Sequence, residues 1–221
     1  MNKQILTREL YLSVPEHLRV LFDSSEYPWQ MLPKIKEYAR SIIKEGIKGY
    51  TLLYDGVLIG EGAKIAPTAK IEPPAVIGAG SEVRHGAFIR GGVIVGDGCV
   101  IGNSSELKNC ILLDCVQVPH YNYVGDSVLG YHAHMGAGAI CSNLKADKSA
   151  VVIHGDMDHE TGLRKVGGFL GEYAEVGCGA VLNPGTVIGR NTSVYPLTSL
   201  RGVYPPDAVV KGTNEIVKKE K

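Results

Sequence analysis

An aliphatic residue stands at every sixth position from Ile59 to Leu113: Ile59, Ile65, Ile71, Ile77, Val83, Ile89, Val95, Ile101, Leu107 and Leu113. Four residues after the first eight of these comes a mostly small residue: Ala63, Ala69, Ala75, Ser81, Ala87, Val93, Cys99 and Ser105. A period of six matches neither the 3.6 of a helix nor the alternation of one long strand. It matches short strands joined by tight turns, three to a coil, stacked as a parallel β-helix. Each coil would pair with the next at ~4.8 Å, so every aliphatic would stack on its equivalent eighteen residues on. Small residues at the corners let the chain turn inside a narrow prism, and the 28 glycines and only 3 phenylalanines suit that design.

The series fails within "VPHYNYVGDSVLG" (118–130), where the next place falls on Pro119. Val124, Leu129, Met135 and Cys141 follow on a shifted phase, and Leu170, Val176, Leu182, Ile188, Val194 and Leu200 resume the period. Between Cys141 and Leu170 lies a polar, glycine-rich insert at about 142–169, expected to project from the prism as a loop. A solenoid is a scaffold, so chemistry is expected where the repeat is interrupted. His120, next to Pro119, is the expected reason for the slip.

Residues 1–50 read as a helical segment and 51–221 as the β-helix with its insert and a C-terminal tail. Ser13 is a candidate cap for "VPEHLRVLF". Leu32, Ile35, Tyr38, Ala39, Ile42 and Ile43 have helical spacing, with Pro33 near the start and Gly46 as the stop. Lys plus Arg and Asp plus Glu both number 23, so no net charge draws the chain to nucleic acid or an anionic membrane. The five cysteines contain no CxxC pair and the amino terminus has no long apolar run, which leads to the expectation of a soluble, cytoplasmic protein with reduced thiols.

The hexapeptide pattern resembles the left-handed parallel β-helix family, most of whose members are trimeric acyltransferases. Left-handedness and a homotrimer are implied by that resemblance; the period itself shows neither. The stretch from Asn103 to Asn143 is more specific. Its His-x-x-Tyr-aliphatic-Gly-Asp element (His120 to Asp126) and its Gly-Ala-Gly (136–138) followed by Asn143 resemble the acetyltransferase half of bifunctional glucosamine-1-phosphate acetyltransferase/N-acetylglucosamine-1-phosphate uridylyltransferase. The insert with "TGLRKVGGFLGE" is similar to the archaeal sugar-phosphate nucleotidylyltransferase/acetyltransferase branch. Those proteins carry a nucleotidyltransferase domain with a glycine-rich loop ahead of the β-helix. The first fifty residues here hold no such loop, so pyrophosphorylase activity is expected to be absent.

The resemblance implies acyl transfer from acetyl-CoA, as co-substrate, to an amino-sugar phosphate or nucleotide sugar. Attack on a thioester needs a neutral amine and a stabilised oxyanion. His120 matches the family's general base, and imidazole suits that role near neutral pH; an arbitrary histidine after a proline would simply fill the corner. Asn143 matches an asparagine near the amine and the acyl group. Arg90 and Lys108 match the family's phosphate-holding cations. Being eighteen apart they also lie one above the other, and two such cations repel unless an anion lies beside them. Most lysines and arginines merely lay a stem on the surface. Tyr123 matches a phosphate-contacting tyrosine. His134 stands where the family has a substrate-contacting asparagine, and Lys148 lies one residue from the family's lysine, with Lys145 as its rival. Ala137 and Cys178 match positions along the acyl-CoA groove.

Two other classes fit the same fold. A zinc-dependent hydratase of the γ-carbonic-anhydrase kind would need three histidines, and His154 and His159 with His120 present a superficial set. A non-enzymatic sugar-phosphate-binding subunit would keep Arg90 and Lys108 without turnover.

Overall fold

The computed structural model describes residues 5–219 and shows three parallel sheets forming the walls of a β-helix. In chain order, the first sheet begins with Val57–Gly60, the second with Lys64–Ile65 and the third with Lys70–Ile71, after which the chain returns to the first at Ala75–Ile77. The expected stacking holds: Ile59 pairs with Ile77 and Ile77 with Val95, while Ile65 pairs with Val83 and Ile71 with Ile89. These aliphatics and the small set Ala75, Ala87, Val93 and Cys99 share one buried interior. Antiparallel strands close both ends, Tyr50–Tyr54 against Val57–Gly60 and Glu215–Lys218 against Ala208–Gly212.

The slip lies elsewhere than expected. Val95 pairs with Leu112, so Leu112 occupies the interior, and Leu113 turns outward into a second apolar cluster. The step from Leu107 to Leu112 is therefore five residues, and the step from Val124 to Leu129 is five again. Both shortened steps turn the corner from the third sheet to the first, at Asn109 and Asp126. Each of these residues adopts a left-handed conformation (φ 47° and 48°), which Asn and Asp tolerate better than other non-glycine residues. By contrast, the corner that carries His120, between Val118 and Val124, keeps the ordinary six-residue step. The histidine is not the cause of the break.

The second apolar cluster is built on the outward row of the first sheet: Leu58, Val76, Ile94, Ile111, Val128, Phe169 and Val187. Helices cover it, chiefly Ile35–Glu45, whose Ile35, Ala39 and Ile42 face inward and which ends at Gly46 (φ 76°) as expected. Ser13 caps no helix. Its N–H instead donates to Glu172 Oε1, as does that of Leu12 at 2.7 Å, and the short helical turns begin at Glu16 and Arg19. The insert does not project. It forms the hairpin Val152–His154/Asp158–Glu160, and Val151, Ile153 and Val166 complete the cover over the same sheet. Apolar side chains hidden in a polar stretch drive that folding back. Among the described residues no helix is long and apolar enough to cross a membrane.

Candidate functional site

Asp126 is the hub of a polar cluster at one corner of the β-helix. It is only 4% exposed, and its carboxylate accepts hydrogen bonds from three side chains. Lys108 Nζ donates to both oxygens, at 3.0 and 3.1 Å. Asn109 Nδ2 donates to Oδ1 at 2.9 Å, and Asn143 Nδ2 to Oδ2 at 2.5 Å. Asn143 also reaches Tyr123 Oη at 3.2 Å. The shortened steps create this cluster, because they bring Lys108, Asn109 and Asp126 onto one corner, with Gly125 beside Lys108 in the register. Asn109 Nδ2 also donates to the Leu32 carbonyl at 3.2 Å, tying the corner to the helical cover.

Arg90 lies one coil before Lys108, its guanidinium 2.8 Å from Glu106 Oε1 and its side chain about half exposed. The two stacked cations are thus each accompanied by a carboxylate of this chain. Lys108 is the more buried, with 25% of its side chain exposed. Burial pushes the Tyr123 hydroxyl above its ordinary range, the charges of Asp126 and Glu106 add to that, and the Asn143 hydrogen bond and then Arg90 offset part of it. Arg90, Lys108, Tyr123 and Asn143 are therefore brought together, around an aspartate that the sequence reading quoted within a motif and gave no role. Its signal was available: an acidic residue inside the five-residue step from Val124 to Leu129.

His120 occupies a different edge, the corner from the second sheet to the third, and is exposed. Ala137 and Cys178 follow it on successive coils of the same edge, linked by Gly138 N–H to the His120 carbonyl (2.9 Å) and Gly179 N–H to the Ala137 carbonyl (2.8 Å). Beneath this edge sits Asn122, buried at an interior position where neighbouring coils carry Ser105 and Ala139. Its side chain donates to the Gly136 and Ala139 carbonyls at 2.8 and 3.1 Å and accepts the His120 N–H at 3.1 Å. A fully partnered amide in a low-dielectric core fixes the backbone of both corners. Sequence reading missed Asn122, although a polar residue in a column of small ones marks it.

The other candidates lie apart. His134 is on the outer face of the second sheet, Nδ1 2.8 Å from Glu175 Oε2. Lys148 is in the insert, exposed, its carbonyl accepting from Arg164 Nε. Lys145 Nζ is 2.6 Å from Ser149 Oγ. Within the hairpin, Ile153 pairs with His159 and His154 with Asp158, so the two histidines take opposite faces. His159 packs against the Tyr27 and Trp29 rings, and His154 meets Asp158 and Arg201. They do not form a joint ligand pair, and among the described residues no three His, Cys, Asp or Glu side chains are grouped to hold a metal ion. Cys99, Cys110 and Cys141 are buried, and burial raises each thiol, that of Cys141 to about 12; Cys178 is exposed. Cavities of about 730 and 680 Å³ open on the helical segment, away from both edges.

The fold is a parallel β-helix built on a six-residue repeat. Residues 56–91 match the bacterial transferase hexapeptide family (six repeats), and residues 80–158 match the GMPPB C-terminal domain. The expected likeness to the bifunctional sugar-phosphate proteins is found as well. The chain is 31% identical over 118 residues to the bifunctional protein GlmU of Methanococcus aeolicus, covering 53% of this chain and 29% of that protein. It is 34% identical over 94 residues to the bifunctional sugar-1-phosphate nucleotidylyltransferase/acetyltransferase of Sulfurisphaera tokodaii, covering 42% of this chain and 23% of that protein. It thus spans less than a third of the length of either relative. Among solved structures, a hexapeptide transferase family protein from Anaplasma phagocytophilum aligns over 76% of this chain and 82% of its own, at 14% identity and a TM-score of 0.41.

Proposed function

We propose that this protein is an acetyl-CoA-dependent acetyltransferase acting on the amine of an amino-sugar phosphate or nucleotide sugar. The observation that carries the reading is the arrangement of the third sheet. One edge presents His120 in a column with Ala137 and Cys178, and the other presents Arg90, Lys108, Tyr123 and Asn143 around Asp126. An acceptor lying across the sheet would have its anionic group at Arg90 and its amine toward His120, with the acyl chain along the Ala137–Cys178 column.

His120 takes the amine proton as the amine attacks the thioester carbonyl, and the thiol of coenzyme A leaves. Arg90, the more exposed cation, is the principal phosphate ligand. Lys108 is held by Asp126 and supplies a fixed positive charge. Tyr123 offers its O–H to the phosphate, and Asn143 is oriented by Asp126. Within one chain His134 and Lys148 reach neither edge, so their roles require a second copy. A homotrimer that brings those surfaces against the neighbour's third sheet would complete the site.

The test is release of free thiol from acetyl-CoA with glucosamine 1-phosphate and related amino-sugar phosphates and nucleotide sugars. His120→Ala is expected to cut kcat by ~10²–10⁴, the usual contribution of a general base, with the fold intact. Full activity in that variant would sink the mechanism. The pairing of Arg90 with Glu106 and of Lys108 with Asp126 leaves the cluster formally neutral, which favours a second reading, a sugar-phosphate-binding subunit without turnover. Saturable acceptor binding with no thiol release from any acceptor would select it.

A further inference from the structure

Asn122 fixes the backbone of the His120 corner but does nothing for the imidazole ring, which stands exposed at the edge. A general base needs a defined tautomer, and a histidine takes that definition from whatever its other nitrogen bonds to. His120 pairs in register with Asn103 on the preceding coil, seventeen residues earlier, so the two side chains leave adjacent strands ~4.8 Å apart. Asn103 Oδ1 is buried and has no hydrogen-bond partner among the described residues. A buried acceptor left unpaired costs ~1–3 kcal/mol, so an acceptor in that state calls for a donor.

The same edge shows the device in use two coils away. His85, at the equivalent corner, has Nδ1 2.7 Å from Thr68 Oγ1, a polar side chain of the preceding coil one residue past its register position. His134 on the neighbouring face and His154 in the hairpin are likewise held at Nδ1, by Glu175 and Asp158.

We propose that Asn103 is the positioning residue of His120, accepting the imidazole Nδ1–H on its amide oxygen and leaving Nε2 unprotonated toward the acceptor amine. The inference rests on the acyl-transfer reading for its kinetic consequence alone. No proton moves between Asn103 and His120; the pair selects a tautomer and an orientation, and Nε2 alone gains the amine proton.

Asn103→Ala is the informative variant, because Ala137 already occupies this corner position one coil beyond His120. In the full-length protein with ¹⁵N-labelled histidine, long-range ¹H–¹⁵N spectra should show His120 protonated at Nδ1, with the resonance assigned by its loss in His120→Gln. Asn103→Ala should shift His120 toward the Nε2–H form. It should also lower kcat at least tenfold with acceptor KM within twofold. Asn103→Asp keeps the acceptor and adds a negative charge, so the acidic limb of kcat/KM against pH should move to higher pH. A purely structural role for Asn103 would lower the melting temperature of Asn103→Ala while leaving the His120 tautomer unchanged. An Nε2–H tautomer in the wild type, or one unmoved by Asn103→Ala, overturns the proposal. A tautomer that responds to Asn103→Ala in a protein that acetylates no acceptor leaves Asn103's role standing and removes the catalytic reading instead.

Discussion

The first and third sheets share one interior and differ almost entirely outside. The outward row of the first sheet runs Leu58, Val76, Ile94, Ile111, Val128, Phe169 and Val187, all buried under helices and insert, and ends at the half-buried Val203. The corresponding outward row of the third sheet runs Lys70, Phe88, Glu106, Tyr123, Ile140, Val181 and Ser199, and none of these is buried. The interior ladder makes both walls, so it says nothing about what either wall does. The residue beside each interior aliphatic decides whether a wall is for packing or for chemistry. The corner between the two walls is where they interact: Asn109 bonds to Asp126 of the polar cluster and to the Leu32 carbonyl of the cover.

That contrast can be broken at several points. The largest expected effect is at the shared corner. Asp126→Ala strands Lys108, Asn109 and Asn143 without their acceptor, and chemical denaturation should show a loss of about 3 kcal/mol. This is the low end for a broken buried pair, since Lys108 keeps a quarter of its side chain in water. Ile94→Ala, in the middle of the covered wall, should cost a comparable or slightly smaller ~2–3 kcal/mol by leaving a cavity beneath the helices. It should leave acceptor binding unchanged, which isothermal titration would check. On the chemical wall the reverse holds: Arg90→Ala should raise acceptor KM or Kd about tenfold or more while the melting temperature stays within a degree or two, because exposed ion pairs contribute little.

The smallest effect is expected at the corner from the first sheet to the second. There Asp114 is half-buried and its carboxyl is pushed up by burial, which outweighs the Asp97 N–H pulling it down; the like charge of Asp97 adds to the rise and His17 opposes it. A folded-state value above the unfolded one means that the native state binds the proton more tightly. That contribution to stability is fully present below the unfolded pKa near 4 and is lost as pH rises through the raised value. Asp114→Asn retains an oxygen for the Asp97 N–H and removes the loss. Its melting temperature should exceed that of the parent by about 1–3 °C at pH 7, with the difference vanishing at pH 3.

Much of the fold was legible because a six-residue period is strict. Ile59 to Leu107, the small corner residues and Leu170 to Leu200 occupy the interior as the spacing required. Leu113 was misplaced because period alone cannot distinguish a six-residue step from a five-residue step followed by an apolar neighbour; Leu112 and Leu113 are both aliphatic. The covered wall carried a readable signal that was passed over, an apolar residue just before every third interior aliphatic, as at Leu58, Val76 and Ile94. The insert misled because its composition is polar while Val151, Ile153 and Val166 do the packing. Of the candidate site, motif likeness named Arg90, Lys108, Tyr123 and Asn143, and the structure gathers these four. His134 and Lys148 lie apart from them, since spacing along a coil does not say which of three walls a residue joins once one-residue deletions have shifted the register.

The amino-acid sequence by itself determined a stacked parallel β-helix with a helical segment ahead of it, because hydrophobic burial every six residues admits few other solutions. Only the tertiary structure decided what the break in the repeat accomplishes. Two shortened corners, seventeen residues apart, stack Lys108, Asn109 and Asp126 into one buried pair with its supporting amides, while His120 keeps an ordinary corner on the opposite edge of the same wall. That outcome depends on which side chains meet across coils, and a carboxylate can be buried there only where three donors converge on it.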